Sequence, residues 1–224
     1  DDEEEIDQEL GDEIAALLGS VVFDNSGRHS FFLLSQFSPL EPRNWMIVTI
    51  STSTNSTMAM ALAVVTSMFK IIDMPMGGSV TLFSMLFIVL TGYWFGVRTG
   101  ITTAVAYGIL QLLINPYIIS IWQMLMDYIF AFGALGLAGL FSNKKKGLIK
   151  GYIAGILGRY FFSFLSGWIF FAVYTPDFFN SAILYSLAYN GAYIGLEAAI
   201  TLIVLALPPV NEAMQAVKKL VCEA

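Results

Sequence analysis

The sequence predicts an all-α integral membrane protein, a six-helix bundle with both termini cytoplasmic and a polar, acidic N-terminal extension ahead of it. Three observations carry this. Six runs of uncharged or nearly uncharged residues follow one another after about residue 50, each near or above the roughly 18–20 residues that span a bilayer core as helix. Basic residues follow only the second, fourth and sixth runs, which places those exits inside the cell. The chain is 57% hydrophobic and 12% charged, a composition that lipid accommodates and water does not.

Residues 1–50 read as an acidic extension, mobile or loosely helical, and residues 51–224 as the membrane domain. Asp1 to Glu13 carries nine carboxylates, and Ile14 to Phe23 is a short apolar stretch. Without a basic n-region or a small-residue cleavage site it does not read as a signal peptide. The predicted spans are Ser56 to Ile72, Ser79 to Val97, Thr99 to Ile114, Ile121 to Phe141, Gly151 to Tyr174 and Ile183 to Leu207. Arg98 follows the second, Lys144, Lys145, Lys146 and Lys150 surround the exit of the fourth, and Lys218 and Lys219 follow the sixth. Lys70, near the outer end of the first span, is expected to snorkel.

The net charge of -6 comes from the extension; the remainder is mildly basic, and no nucleic-acid partner is expected. Cys222 is the only cysteine, which excludes disulfides and cysteine-based metal sites within the chain. There is no P-loop, no metal-binding His pair and no nucleophile elbow, and the single histidine, His29, lies in the extension. No enzymatic activity, metal or cofactor is expected, and uphill movement of a solute would need an ion gradient or another subunit.

Small residues four apart (Gly92 and Gly96, Gly96 and Gly100, Gly151 and Gly155, Gly191 and Gly195) suit close helix packing in lipid. Ala59 with Ala63, or Thr57 with Ala61, gives the first helix a similarly smooth face, for the bundle or for a second subunit.

At about 1.5 Å per residue, Asp127 lies about 9 Å below the outer surface, level with Gly167, Tyr189 and Asn190. Tyr107 is slightly deeper. Tyr117, Trp122, Tyr128, Phe170, Phe171 and Tyr185 crowd around and above, and Trp122 and Trp168 are placed near the pocket. A carboxylate inside an uncharged span costs a few kcal/mol by insertion scales, so Asp127 is expected to face a polar cavity. With an amide and many aromatic faces at its level, the group suits a flat, cationic or amino-bearing ligand. Taken singly, most of the aromatics fit an interfacial belt better than a site. Arg159 and Glu197 both count about 21 Å down consecutive helices and are expected to form a structural ion pair. Ser163 and Gly167 follow Arg159 at one-turn intervals on one face, with Ser163 as pocket floor.

Met74 to Phe87 (MPMGGSVTLFSMLF), Ala106 to Gln111 (AYGILQ), Leu125 to Phe141 (LMDYIFAFGALGLAGLF), Gly158 to Phe171 (GRYFFSFLSGWIFF) and Tyr185 to Gly195 (YSLAYNGAYIG) resemble the thiamine-binding S component of bacterial energy-coupling-factor transporters. The likeness runs from about Thr57 to Lys219. It implies a six-helix vitamin-capture subunit of the bacterial plasma membrane that docks on a transmembrane coupling subunit driven by ATPase subunits. It places thiamine contacts on Tyr107, Tyr117, Asp127, Tyr128, Gly167, Phe171, Tyr185 and Asn190. A loop over the ligand falls on Met74 to Thr81, with Gly77, Gly78 and Ser79, and docking on the coupling subunit falls on Ala59, Ala61 and Ala63. One position departs: where the family pattern reads FFHFL, with a histidine touching the ligand, this chain has Ser163, leaving thiamine, a phosphate ester or a precursor open as ligand. An S component for another vitamin, a self-sufficient ion-coupled transporter and a purely structural subunit are the other readings.

Overall fold

Seven helices and one two-stranded hairpin order the part of the chain that the computed structural model describes, residues 42–177 and 179–223. They are α1 (Pro42–Met68), β1 (Lys70–Asp73), β2 (Ser79–Thr81), α2 (Ser84–Phe95), α3 (Val97–Ile114), α4 (Ile121–Phe141), α5 (Gly147–Phe170), α6 (Ala182–Ala206) and α7 (Pro208–Glu223). Most of the expected extension lies outside the described residues, and from Pro42 its remainder is already helical. From Val48 onward the chain forms one unit by its internal contacts.

Among the described residues four helices, α3 to α6, are long and apolar enough to cross a membrane, which makes this a multi-pass membrane protein. The first two spans differ from their sequence pattern. α1 begins well ahead of the expected Ser56 and stops at Met68, so Lys70 opens β1 and pairs with Asp73 at 3.2 Å instead of ending a span. The expected Ser79 to Val97 run divides into strand β2 and a helix of 12 residues, about 18 Å of rise against a hydrocarbon core of about 30 Å. An unbroken apolar run carries no period that distinguishes strand from helix. The break falls at Phe83, left-handed at φ 62°.

The second half of α4 packs on α2, α3 and α5, and α5 packs on α6. α2 is buried on nearly all sides, whereas α3 and α6 each turn one stripe of residues at helical spacing inward. On α3 these are Gly100, Thr103, Ala104, Tyr107 and Gly108, and on α6 Ser186, Asn190, Ile194, Glu197, Ala198, Thr201 and Leu205. Close approach depends on glycine where α2, α3 and α4 meet. A Cβ on Gly100 would stand 2.5 Å from the Gly92 Cα and 2.9 Å from the Gly136 carbonyl oxygen. Gly195, by contrast, has open space around it, so its spacing from Gly191 serves no tight helix contact.

α1 divides its small residues between two faces. Ala59 and Ala63 are buried, Ala63 within the hydrophobic core, whereas Thr57 and Ala61 are exposed beside Met58, Leu62 and Val65. Ala59 and Ala63 are therefore not surface available to a partner, and the smooth exposed face of α1 is the one through Thr57 and Ala61.

Candidate functional site

β1 and β2 pair antiparallel with a bulge between Lys70 and Ile72, and a 3-10 turn, Pro75–Gly77, closes the hairpin. The turn needs positive φ at Met76 (63°) and Gly77 (87°), a conformation glycine adopts without strain. Below the turn lies a cavity of about 380 Å³ between α3, α4, α5 and α6. The nine expected site residues (Tyr107, Tyr117, Asp127, Tyr128, Ser163, Gly167, Phe171, Tyr185 and Asn190) all line it, and so do the loop residues Gly77, Gly78 and Ser79.

Asp127 and Tyr128 sit in a π-helical stretch, Leu125–Phe130, within α4. The wider turn rotates the residues after it relative to a regular helix, a local irregularity found often at functional sites. Upstream, Ser120 caps α4 by accepting from the Trp122 N–H at 3.3 Å. Gln123, one turn before Asp127, donates through Nε2 to Asp127 Oδ2 at 2.7 Å and to the Tyr117 carbonyl at 3.1 Å, while its Oε1 accepts from the Ile119 N–H at 3.0 Å. This fully buried amide fixes both the carboxylate and the loop that presents Tyr117.

Tyr117 and Phe171 stack, with centroids 5.8 Å apart and planes 20° from parallel. The Tyr128 hydroxyl accepts from the Tyr117 N–H and donates to the Asn115 carbonyl, both at 3.0 Å. Across the cavity, Asn190 donates through Nδ2 to the Ser186 carbonyl at 3.0 Å, and the Tyr193 hydroxyl donates to Asn190 Oδ1 at 3.0 Å. Gly167 faces these groups, and a Cβ there would stand 3.0 Å from Asn190 Nδ2 and against the Ser186 hydroxyl. Ser163 is buried in the cavity wall.

The turn is tied to α6 by a tyrosine. The Tyr189 hydroxyl accepts from the Gly78 N–H at 3.0 Å and donates to the Pro75 carbonyl. Tyr185, Tyr189 and Tyr193 form a ladder with centroids 5.9 and 5.7 Å apart. A Cβ on Gly78 would come within 3.0 Å of the Tyr193 ring, so glycine lets the turn reach the ladder.

Arg159 and Glu197 do not pair. Glu197 is buried at 4% exposure and its carboxylate accepts from the Thr81 N–H (3.0 Å), the Thr81 hydroxyl (2.7 Å), the Ser84 hydroxyl (3.3 Å) and the Met85 N–H (3.2 Å). It thereby caps α2 from another helix. Arg159 lies with its guanidinium carbon 4.2 Å from the Phe132 ring centroid and lines the cavity. Equal depth on neighbouring helices did not bring them together because Glu197 finds backbone donors at the start of α2, and Arg159 finds a ring face.

Sequence reasoning missed Gln111, Gln123, Phe132 and Tyr193, which also line the cavity. The four-residue spacing of Gln123 from Asp127, and of Tyr193 from Tyr189, was the available signal. Trp122 and Trp168 do not line it, and they are 70% and 42% exposed. Among the described residues no cluster of His, Cys, Asp or Glu could hold a metal ion. A carboxylate, an amide and stacked rings around one cavity suit the binding of a flat, positively charged molecule.

A family model described as thiamine transporter protein matches residues 53–217. The chain belongs to the thiamine transporter protein family. Thiamine transporter ThiT of Bacillus subtilis (strain 168) is 35% identical over 163 residues, covering 66% of this chain and 83% of that protein. The solved structure of ThiT from Listeria monocytogenes aligns at a TM-score of 0.55 with 22% identity, covering 74% of this chain and 97% of that one, a likeness of fold. Members of the thiamine transporter family are transport proteins, and this chain is a membrane transport protein and not an enzyme. Within the matched span fall the whole cavity, the hairpin above it and the exposed face of α1.

Proposed function

We propose that this protein captures thiamine at the outer face of a bacterial plasma membrane and delivers it for uptake powered by a transmembrane coupling subunit with ATPase subunits. The observation that carries this reading is the meeting of Asp127, the Tyr117–Phe171 stack and Asn190 around one cavity in a member of the thiamine transporter family. The thiazolium ring is a flat cation and the aminopyrimidine carries donors and acceptors. The aromatic faces attract the first, while Asp127 balances its charge or accepts from the amino group. In this reading α1, and α2 together with strand β2 ahead of it, complete six crossings, both termini are cytoplasmic, and the Pro75–Gly77 turn covers the bound ligand from outside.

The deciding experiment is calorimetric or radioligand binding of thiamine to the purified protein. Tryptophan fluorescence is a poor substitute, because Trp122 and Trp168 lie outside the cavity lining. Saturable one-to-one binding supports the reading, and its absence from folded protein refutes it. In reconstituted vesicles, uptake is expected only when coupling and ATPase subunits are added, whereas binding is expected without them. Uptake by this chain alone on an ion gradient would instead favour a self-sufficient transporter. Ala61→Leu, on the exposed face of α1, is expected to abolish energised uptake and spare binding. Ala63→Leu enlarges a fully buried side chain and is expected to cost about 1–3 kcal/mol of stability; equal behaviour of the two variants would refute this assignment of faces.

Ser163 bears on which thiamine compound is bound. A serine hydroxyl donates and accepts but cannot stack. Ser163→His is expected to hold thiamine as tightly as the parent or up to about tenfold more tightly, the scale of one added hydrogen bond or ring contact. The measurement is a panel of thiamine, its phosphates and its pyrimidine precursor against both proteins. Weaker thiamine binding by the histidine variant, with preference of the parent for another compound, would move the assignment to that compound.

A further inference from the structure

A second cavity, of about 510 Å³, opens at the opposite end of the bundle and is lined by Lys144, Lys145, Lys146, Lys218 and Lys219 with no carboxylate among its lining residues. The first three come from the connection between α4 and α5, and the last two from α7. Lys218 fixes the geometry: its Nζ donates to the Ser142 carbonyl and, at 3.0 Å, to the Ser142 hydroxyl, and it lies 4.1 Å from the Tyr93 ring centroid. Ser142 in turn donates to the Tyr93 carbonyl at 2.5 Å. α7 is thus pinned against the α4–α5 connection, and the remaining ammonium groups are held around one concave space.

Two features make this more than a basic loop. Lys146 adopts a left-handed conformation, φ 55°, at the residue before α5, where a glycine would fit without steric cost. A charged side chain stands at a position whose backbone favours none, a pattern that points toward function. The first turn of α5 has no side-chain cap, and its Gly147 and Leu148 line the same cavity, adding the positive end of a helix dipole to the lysines. The space therefore favours a multiply hydrogen-bonding anion, and phosphate oxygens supply both the charge and the acceptors.

We propose that this cavity binds the phosphate group of an anionic phospholipid. A lipid is favoured over a soluble phosphate because apolar surface borders the site: Leu140, beside the α4–α5 connection, is 59% exposed, and Leu220, beside Lys219, is 71% exposed. α7 packs Val210 and Met214 against the core of the bundle and leaves Glu212, Gln215, Lys219 and Leu220 exposed, so Lys219 and the neighbouring apolar side chain are presented together at the rim of the cavity. Basic pockets at the ends of membrane helices on the inner side recognise such headgroups, each ammonium contributing roughly fivefold to the attraction.

The test uses the full-length protein, delipidated in detergent and titrated with phosphatidylglycerol or phosphatidylcholine of identical chains, with bound lipid counted by native mass spectrometry. The parent is expected to retain phosphatidylglycerol preferentially. Lys144→Gln/Lys145→Gln/Lys219→Gln is expected to lose that preference by about tenfold or more. Lys146→Gly is expected to lose part of it while melting no lower than the parent, which separates the charge from any folding defect. Arg98→Gln, a basic residue outside the cavity lining, is expected to leave it unchanged. Equal retention of the two lipids, loss of preference in Arg98→Gln to the same extent, or a triple variant that keeps the preference would each overturn the proposal. Displacement of phosphatidylglycerol by millimolar inorganic phosphate would also overturn it, assigning the cavity to a soluble phosphate. So would a triple variant that binds lipid normally but fails to assemble with an energising partner.

Discussion

Asp127→Asn is expected to weaken thiamine binding by about 1.5–3 kcal/mol, the scale of one charge-assisted hydrogen bond, or roughly 10- to 150-fold in Kd. The substitution keeps shape and volume and removes only the charge. Gln123 Nε2 can still donate, now to an amide oxygen, so the helix and its π turn have no reason to rearrange. The contrast is Gln123→Leu. It leaves the carboxylate but removes the amide that holds it and the Tyr117 carbonyl, so stability should fall together with affinity. Isothermal titration with each variant, alongside thermal unfolding in detergent, checks both. Unchanged affinity of Asp127→Asn in a folded protein would remove the carboxylate from the ligand site.

The site was more legible than the fold around it, and the reason lies in where polarity stands out. Inside an uncharged span, Asp127 and Asn190 are conspicuous, and counting residues from the helix ends brought them to one level with Gly167. The helix rise along a span is fixed, so depth can be read from sequence. Rotation about the helix axis cannot be read the same way where polar and apolar faces hardly differ. Arg159 and Glu197 show the consequence: equal depth suggested a pair, but Glu197 is turned to the start of α2 and Arg159 to Phe132. The Leu125–Phe130 π turn was invisible for the same reason, since one extra residue in a turn leaves no mark on an apolar run.

Small residues repeat the lesson. Gly92 and Gly100, each read as four residues from Gly96, do meet Gly136 on α4, but Gly96 itself lies in the break between α2 and α3 with open space around it, so neither pair forms a face of one helix. Gly191 and Gly195 are four apart on one helix, and neither has a partner backbone against it. On α1 the two candidate pairs, Ala59 with Ala63 and Thr57 with Ala61, lie on different faces, and only the fold distinguishes core from surface. The Ser79 to Val97 run was read as one helix because length and apolarity were its only signals. The Glu197 carboxylate holds the chain on both sides of its break at Phe83, a contact no apolar run announces.

That contact carries the largest stability effect expected here. Glu197→Ala is expected to destabilise the protein by about 3–5 kcal/mol, because it strands two backbone N–H groups and two hydroxyls in a buried site, each costing about 1–3 kcal/mol unless water reaches it. The hydroxyls of Thr81 and Ser84 lie 2.6 Å apart and can satisfy each other, which keeps the total below the sum of four. Since the carboxylate ties the end of β2 to α6, the loss also loosens the turn above the cavity, and thiamine should dissociate faster even where the fold survives. Glu197→Gln, which retains one acceptor oxygen, is expected to fall between the two. Arg159→Met removes no partner of Glu197 and should leave this clamp intact. In a double-mutant cycle the Arg159 and Glu197 substitutions should add within about 0.5 kcal/mol, whereas a coupling of several kcal/mol would restore the ion pair and displace the clamp. The two interpretations differ in sign for the double variant as well: a broken pair is partly rescued by removing the second charge, but an uncapped α2 is not.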